Sequence, residues 1–207
     1  HTKVVLTMSV ALTVGGAVIF RITENMPWIG ALFNSVTART AGFSTYSLGE
    51  FSNAGLLVMI FLMFVGASPG STGGGIKTST LFALIQGIKT AATNTSGKAF
   101  HYSVPHGVFR KASVIAVMGI SVIAVGTFML CAFEPDIAIR DALFEMTSAF
   151  GTVGLTTGIT TGLCTASKLT SIVMMYIGRL GPLTIATLWY FTNGDRIKYP
   201  DGNIAIG

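Results

Sequence analysis

The stretch Gly151-Thr152-Val153-Gly154-Leu155-Thr156-Thr157 is short, polar and glycine-bearing, and long apolar runs flank it on both sides. Irregular backbone of this kind is costly at membrane depth, because hydrocarbon offers nothing to an unpaired N–H or C=O. It persists there only where protein buries it or where it lines a water-filled path. A second stretch of the same character, Thr40-Ala41-Gly42-Phe43-Ser44-Thr45, lies about 112 residues earlier. Two matched irregular stretches set into apolar sequence predict two equivalent re-entrant segments in a membrane.

Composition agrees. The chain is 51% hydrophobic and 10% charged, whereas a soluble domain carries about 25% charged residues. Its mean hydropathy is +0.69. The 207 residues divide best into spans of ~20 residues each. A net charge of +5 invites a nucleic-acid reading, but the basic residues lack aromatic interleaving and sit beside apolar spans, so topology accounts for them. Cys131 and Cys164 match no metal-ligand spacing, and His101 and His106 do not share a helical face. No nucleophile–base or carboxylate pair falls at a span centre, which argues against a membrane-embedded enzyme. A scaffold would need no matched polar stretches. His1 stands where an initiator Met is expected, and no signal peptide precedes the first span, so the chain reads as a fragment or processed piece.

In chain order, Val4 to Ile22 predicts a first span, broken by Glu24-Asn25-Met26-Pro27. Trp28 to Arg39 is too short to cross and predicts a re-entrant helix. Pro27 is suited to open it, and its C-terminal end would turn a partial negative charge toward a cation. Phe51 to Val65 starts a second span, which Gly66-Ala67-Ser68-Pro69-Gly70-Ser71-Thr72-Gly73-Gly74-Gly75 interrupts. Five glycines and a proline in ten residues do not hold a regular helix. Ile76 to Ala92 resumes helical patterning, with Lys77 and Lys89 placing it near a basic surface. Gly70 to Thr78 comes close to a phosphate-binding loop, but Ile76 intrudes before Lys77 and the setting is a span rather than a strand.

From Lys77 to Lys111 there are five Lys or Arg and no Asp or Glu, which makes this segment cytoplasmic. Val108 to Phe133 is a third span, Glu134-Pro135-Asp136 breaks it, and Ile137 to Phe150 repeats the short re-entrant pattern. Leu169 to Phe191 is the last span, with Arg179 near its middle. The organisation is thus a repeat over 1–93 with a broken second span, a basic linker over 94–107, a second repeat over 108–192 and a tail over 193–207. Ala31-Leu32-Phe33 matches Ala142-Leu143-Phe144 within the two repeats. Six of the eight acids (Glu24, Glu50, Glu134, Asp136, Asp141 and Glu145) fall on the side from which both short segments enter. They would attract cations to that mouth. Carbonyl oxygens lining a path can replace a cation's hydration shell, and the potassium-channel filter opens with the same Thr-Val-Gly as residues 152–154.

The chain closely resembles the membrane subunit of the Trk/Ktr/HKT superfamily of potassium transporters, of the bacterial Ktr type. The resemblance is carried by Thr37-Ala38-Arg39-Thr40-Ala41-Gly42-Phe43-Ser44-Thr45, by Gly151-Thr152-Val153-Gly154-Leu155, by residues 66–78 and by Gly178-Arg179-Leu180-Gly181-Pro182. It implies an all-α membrane protein of two span–pore-helix/loop–span repeats within a pseudo-fourfold, potassium-channel-like pore. Members carry four such repeats, and these two are similar to the third and fourth, so a half with two further repeats is missing. The resemblance further implies K+ at the filter backbone carbonyls of Thr40, Ala41, Gly42, Phe43, Gly151, Thr152, Val153, Gly154 and Leu155, with Gly42 and Gly154 the filter glycines. Residues 66–75 would be a gating loop beneath the filter, with Arg179 beside it. Na+ as a coupling ion, a homodimer in the lipid of the inner (plasma) membrane and a cytoplasmic ring of nucleotide-binding regulatory subunits complete the expectation. The rival is a sodium-preferring or nonselective cation pathway. Arg39, at the end of a re-entrant helix, is expected to brace the filter from behind.

Overall fold

In the computed structural model, residues 2–93, 98–99, 102–103, 106–181 and 184 are described. His1, His101, Pro182 and the tail 193–207 lie outside the described residues, as do most of the linker and the end of the expected last span. Helix α1 (Thr2–Thr23) is 22 residues long, about 33 Å at 1.5 Å per residue, enough to cross ~30 Å of hydrocarbon. Helix α5 (His106–Phe133) has 28 residues and is likewise long enough to cross. Among the described residues these two are the helices long and apolar enough to span alone. Their exposed faces carry Leu6, Val10, Val14, Val117, Ile120 and Phe128, an apolar surface that suits lipid.

Each repeat is a long outer helix, a short helix and an inner helix. The short helices are α2 (Trp28–Thr37) and α6 (Ile139–Gly151), and both begin just after the sequence breaks. Pro27 supplies an extended residue at the start of α2, and its carbonyl accepts the Ala31 amide at 3.0 Å. The inner helix of the first repeat is split into α3 (Asn53–Phe64) and α4 (Thr78–Thr93). Val65 and Ile76 meet in a parallel bridge, so the chain leaves the helix, runs through residues 66–75 and returns beside its exit. In the linker, β1 (Lys98–Ala99) pairs antiparallel with β2 (Tyr102–Ser103).

The inner helix of the second repeat, α7 (Thr165–Leu180), differs from the expected 169–191. It starts a turn earlier and stops at Leu180, because Gly181 adopts φ 87°, a left-handed angle that ends a helix, and the following Pro182 disfavours helix before it. Arg179 therefore lies in the last turn of α7. A guanidinium there meets the partial negative charge of the helix end.

Two buried clusters hold the helices. Phe20, Leu48, Phe51, Leu56, Met59 and Met63 form the first, and Phe144, Val153 and Leu155 of the second repeat complete it. Ile123, Leu130, Met146, Phe150, Leu163 and Met174 form the second. Phe150 stacks on Phe64 with centroids 6.1 Å apart, and Arg140 Nη1 donates to Asn53 Oδ1 at 3.0 Å. The repeats are thus interlocked rather than side by side.

Two of the mouth acids turn out to hold helix starts. Glu24 accepts from the Ser52 hydroxyl at 2.6 Å and from its amide at 3.2 Å, directly before α3. Glu134 accepts from the Cys164 amide at 2.6 Å, directly before α7. Each carboxylate follows an outer helix and takes an amide that the inner helix leaves unpaired. The Cys164 amide, more than any nearby cation, holds the Glu134 carboxyl below the usual carboxylate range. A depressed folded-state pKa means that the contribution to stability is complete at neutral pH and is lost as pH falls through that depressed value. We expect Glu134→Ala to lower the Tm of the complete protein at pH 7, and the difference to shrink below the ordinary carboxylate range. Thermal melts in detergent across pH check this, and a difference that persists undiminished in acid would rule it out.

Candidate functional site

The chain turns sharply as α2 ends. The amides of Ala41 and Gly42 both donate to the Thr37 carbonyl, at 3.1 and 3.2 Å. The buried Thr37 hydroxyl receives the Phe43 amide at 2.8 Å and donates to the Phe43 carbonyl at 2.5 Å, clasping the turn from behind. At the end of α6, Thr152 and Val153 donate to Ala149 and Ser148, at 3.0 and 2.9 Å. Positive φ recurs at matched places: Thr40 (71°) and Gly42 (78°), Thr152 (52°) and Gly154 (92°). For β-branched Thr40 and Thr152 the left-handed region costs about 1–3 kcal/mol each, strain that packed surroundings must over-determine.

The two turns meet. A Cβ on Gly42 would overlap the Val153 carbonyl, while one on Gly154 would lie 4.0 Å from the Gly42 Cα. Among the described residues, the carbonyls of 40–42 and 152–155 accept no backbone hydrogen bond. Val153 and Leu155 are nonetheless buried. Ala41 and Gly154 are exposed, so this pair of turns offers a cluster of acceptors with capacity to spare that a solute can reach. What such a cluster can do chemically is take the place of water around a bare cation.

Glu145, on α6 and 7% exposed, holds the chain beyond the second turn. Its Oε1 accepts from the Thr156 hydroxyl and from the Thr157 amide at 3.2 Å, and its Oε2 accepts from Thr160 Oγ1 at 3.0 Å. A cavity of about 380 Å³ is lined by Glu145, residues 152–156, Ser171 and Met175. Sequence reasoning counted Glu145 among the mouth acids; burial makes it a support instead. Arg39 reaches α1, donating to the Ser9 carbonyl at 3.0 Å and to Thr13 Oγ1 at 3.3 Å. It braces the turn against the outer helix.

The loop 66–75 lies directly beneath. The Ile76 amide donates to the Phe64 carbonyl at 3.0 Å and the Thr78 amide to Ala67 at 3.4 Å, closing its neck. Gly74 N–H donates to Thr152 Oγ1 at 2.9 Å. A Cβ on Gly74 would come within 2.8 Å of the Phe150 carbonyl and 2.9 Å of the Gly151 carbonyl, so only glycine allows this approach. Arg179 Nη1 donates to the Thr72 carbonyl, and Lys77 Nζ donates to the Gly73 carbonyl at 2.5 Å. Lys77 was expected at a basic surface, yet it holds the loop. The candidate residues Gly66 to Gly75, Arg179 and the two turns are therefore brought together. Thr37, Lys77 and Glu145 are additions, of which Thr37 and Lys77 had a signal in the 37–45 and 66–78 motifs and Glu145 only its charge.

The profile of a family described as TrkH, cation transport protein, matches residues 2–196. The chain is 35% identical over 220 residues to Ktr system potassium uptake protein B of Vibrio alginolyticus, covering all of this chain and 48% of that protein. Against the protein of the same name from Bacillus subtilis the figures are 34% over 220 residues, with 49% of that protein covered. Potassium/sodium uptake protein NtpJ of Enterococcus hirae is 35% identical over 225 residues, with 50% covered. The chain thus spans about half the length of the curated relatives it matches. The crystal structure of the potassium transporter TrkH from Vibrio parahaemolyticus has a similar fold. Its TM-score is 0.71 at 21% identity, over 91% of this chain and 43% of that one.

Proposed function

This chain belongs to the TrkH family of cation transport proteins, and from that premise we propose that it forms half of a pore for potassium uptake across the inner (plasma) membrane. The backbone carbonyls of Thr40 to Phe43 and Gly151 to Leu155 select the ion. Residues 66–75, held by Arg179, close the path beneath them. The missing half supplies two further repeats around a pseudo-fourfold axis. Sodium is a coupling ion, the complete protein is a homodimer of multi-pass subunits in lipid, and a cytoplasmic ring of nucleotide-binding subunits regulates it. The basic segment 77–111, which includes the linker 94–107 between the repeats over 1–93 and 108–192, forms the docking side for that ring together with the tail 193–207.

The single observation that carries this reading is the meeting of Gly42 and Gly154, each at positive φ, with unpaired carbonyls around them and a glycine loop below. Such an arrangement is costly to build for packing alone, because two β-branched threonines are held in left-handed backbone to bring these acceptors together. A second reading, a pathway that also carries sodium, draws on the similarity to a relative described for both ions.

Gly154→Ser in the complete transporter tests the selective role. Space is open at this position, so the serine strains backbone rather than colliding, at about 1–2 kcal/mol for a left-handed L-residue. The expected result is continued transport with the preference for potassium over sodium reduced roughly tenfold, at 1.4 kcal/mol per decade. Paired uptake assays with the two ions measure it. An unchanged ratio in a well-folded variant would remove the filter from residues 151–155.

A further inference from the structure

We propose that the Thr152 hydroxyl is a shared ligand. Either it holds the loop 66–75 closed through Gly74, or it serves the lowest cation position of the filter, so that cation occupancy there and the closed loop exclude each other. The inference rests on the filter and loop roles proposed above and adds a coupling between them.

The closed arrangement is built at the foot of both turns. Thr40 and Thr152 are equivalent residues, each two before its turn's glycine and each in left-handed backbone that β-branched side chains avoid. Strain repeated at matched positions points to a use for the two hydroxyls at that level. Gly74 N–H donates to Thr152 Oγ1 at 2.9 Å. A Cβ on Gly73 would come within 2.9 Å of Thr40 Oγ1, so loop backbone fills the space under both threonines.

The polarity of the loop matters as much as its bulk. A cation needs lone pairs, and two carbonyls of the closed loop are already engaged. The Thr72 carbonyl is taken by Arg179 and the Gly73 carbonyl by Lys77. What it turns upward is the Gly74 N–H, whose positive end faces the threonine oxygen. Even with a lone pair left over, a cation bound to that oxygen would sit against this dipole and against the Gly74 backbone. Carbonyls below are engaged, the amide above repels, and the volume is filled. Binding and closure therefore compete for one oxygen.

Competition of this kind is reciprocal. An alkali cation that reaches the foot of the filter shifts the loop outward, and a loop fastened shut weakens cation binding. Occupancy would thus help to open the path that it uses.

The test follows the loop directly. In the complete transporter, reconstituted in liposomes and otherwise free of reactive thiols, Thr72→Cys reports loop exposure through its rate of modification by a maleimide. Thr72 is exposed, and only its backbone carbonyl is engaged. Replacing N-methylglucamine with potassium at constant ionic strength is expected to raise the rate several-fold. Thr152→Ser keeps the hydroxyl and should keep the response; Thr152→Val should show a fast rate that ignores potassium. A parental rate that does not respond to potassium overturns the proposal, as does an undiminished response in a well-folded Thr152→Val. Ion flux in the same preparations separates the two levels. If deleting part of the loop raises flux while labelling ignores potassium, the gate stands and the sharing fails. If the deletion leaves flux unchanged and Gly154→Ser leaves selectivity unchanged, the underlying reading fails with it.

Discussion

Removing residues 68–73 from the complete transporter is expected to raise ion flux tenfold or more, at 1.4 kcal/mol per decade, while leaving ion preference as it was. The neck of the loop, where Val65 meets Ile76, is outside the deletion, so the split inner helix keeps its join. What goes is the segment that Arg179 and Lys77 hold by the carbonyls of Thr72 and Gly73. Arg179→Ala pushes the same way more gently. The hydrogen bond is exposed, so its net contribution is about 1 kcal/mol, and its loss shifts the open population roughly fivefold. The guanidinium also leaves a place where its charge opposes a resting cation. Flux into liposomes, with monodispersity checked by size exclusion, decides the matter. A well-folded deletion that conducts no faster than the parent means that the loop is not the gate.

Gly42→Ser should be the more damaging of the two filter substitutions. Gly154 has open space around its missing Cβ, whereas at Gly42 a Cβ overlaps the Val153 carbonyl of the facing turn. Backbone strain of about 1–2 kcal/mol is common to both, but only Gly42→Ser forces the two turns apart. Potassium uptake should fall roughly a hundredfold, at 1.4 kcal/mol per decade, against a change of preference alone at Gly154. Potassium-limited uptake of the two variants side by side provides the comparison. If Gly42→Ser transports as well as Gly154→Ser, the contact between the turns is not part of the path.

The helices were legible because apolar length and glycine or proline breaks act locally. Pro27 before α2, the apolar run opening at Phe51 before α3 and the run 66–75 each mark a boundary within a few residues of the observed one. The pairing of 40–45 with 151–157 was legible as a repeat. Contacts between repeats were not, since Gly74 and Thr152 are far apart in sequence and leave no period to read. Hydropathy did not show where α7 ends, a boundary that only the Gly181-Pro182 pair hinted at. A charge count does not separate the roles of the acids. Glu24, Glu134 and Glu145 look alike in a charge count, yet the first two hold helix starts and the third supports the second turn.

The sharing of one buried cluster between the repeats also bears on how the chain is made. Phe144, Val153 and Leu155 fill the cluster that Phe20, Phe51, Leu56 and Met59 begin. While the ribosome has released only the first repeat, those residues face lipid or the insertion machinery with a gap where the later side chains will go. The first turn is then without the Val153 carbonyl that fits against Gly42. Completion of the first repeat must therefore wait for the second to enter the membrane, and a chain stopped in the linker would present the quality-control machinery with an unfinished core.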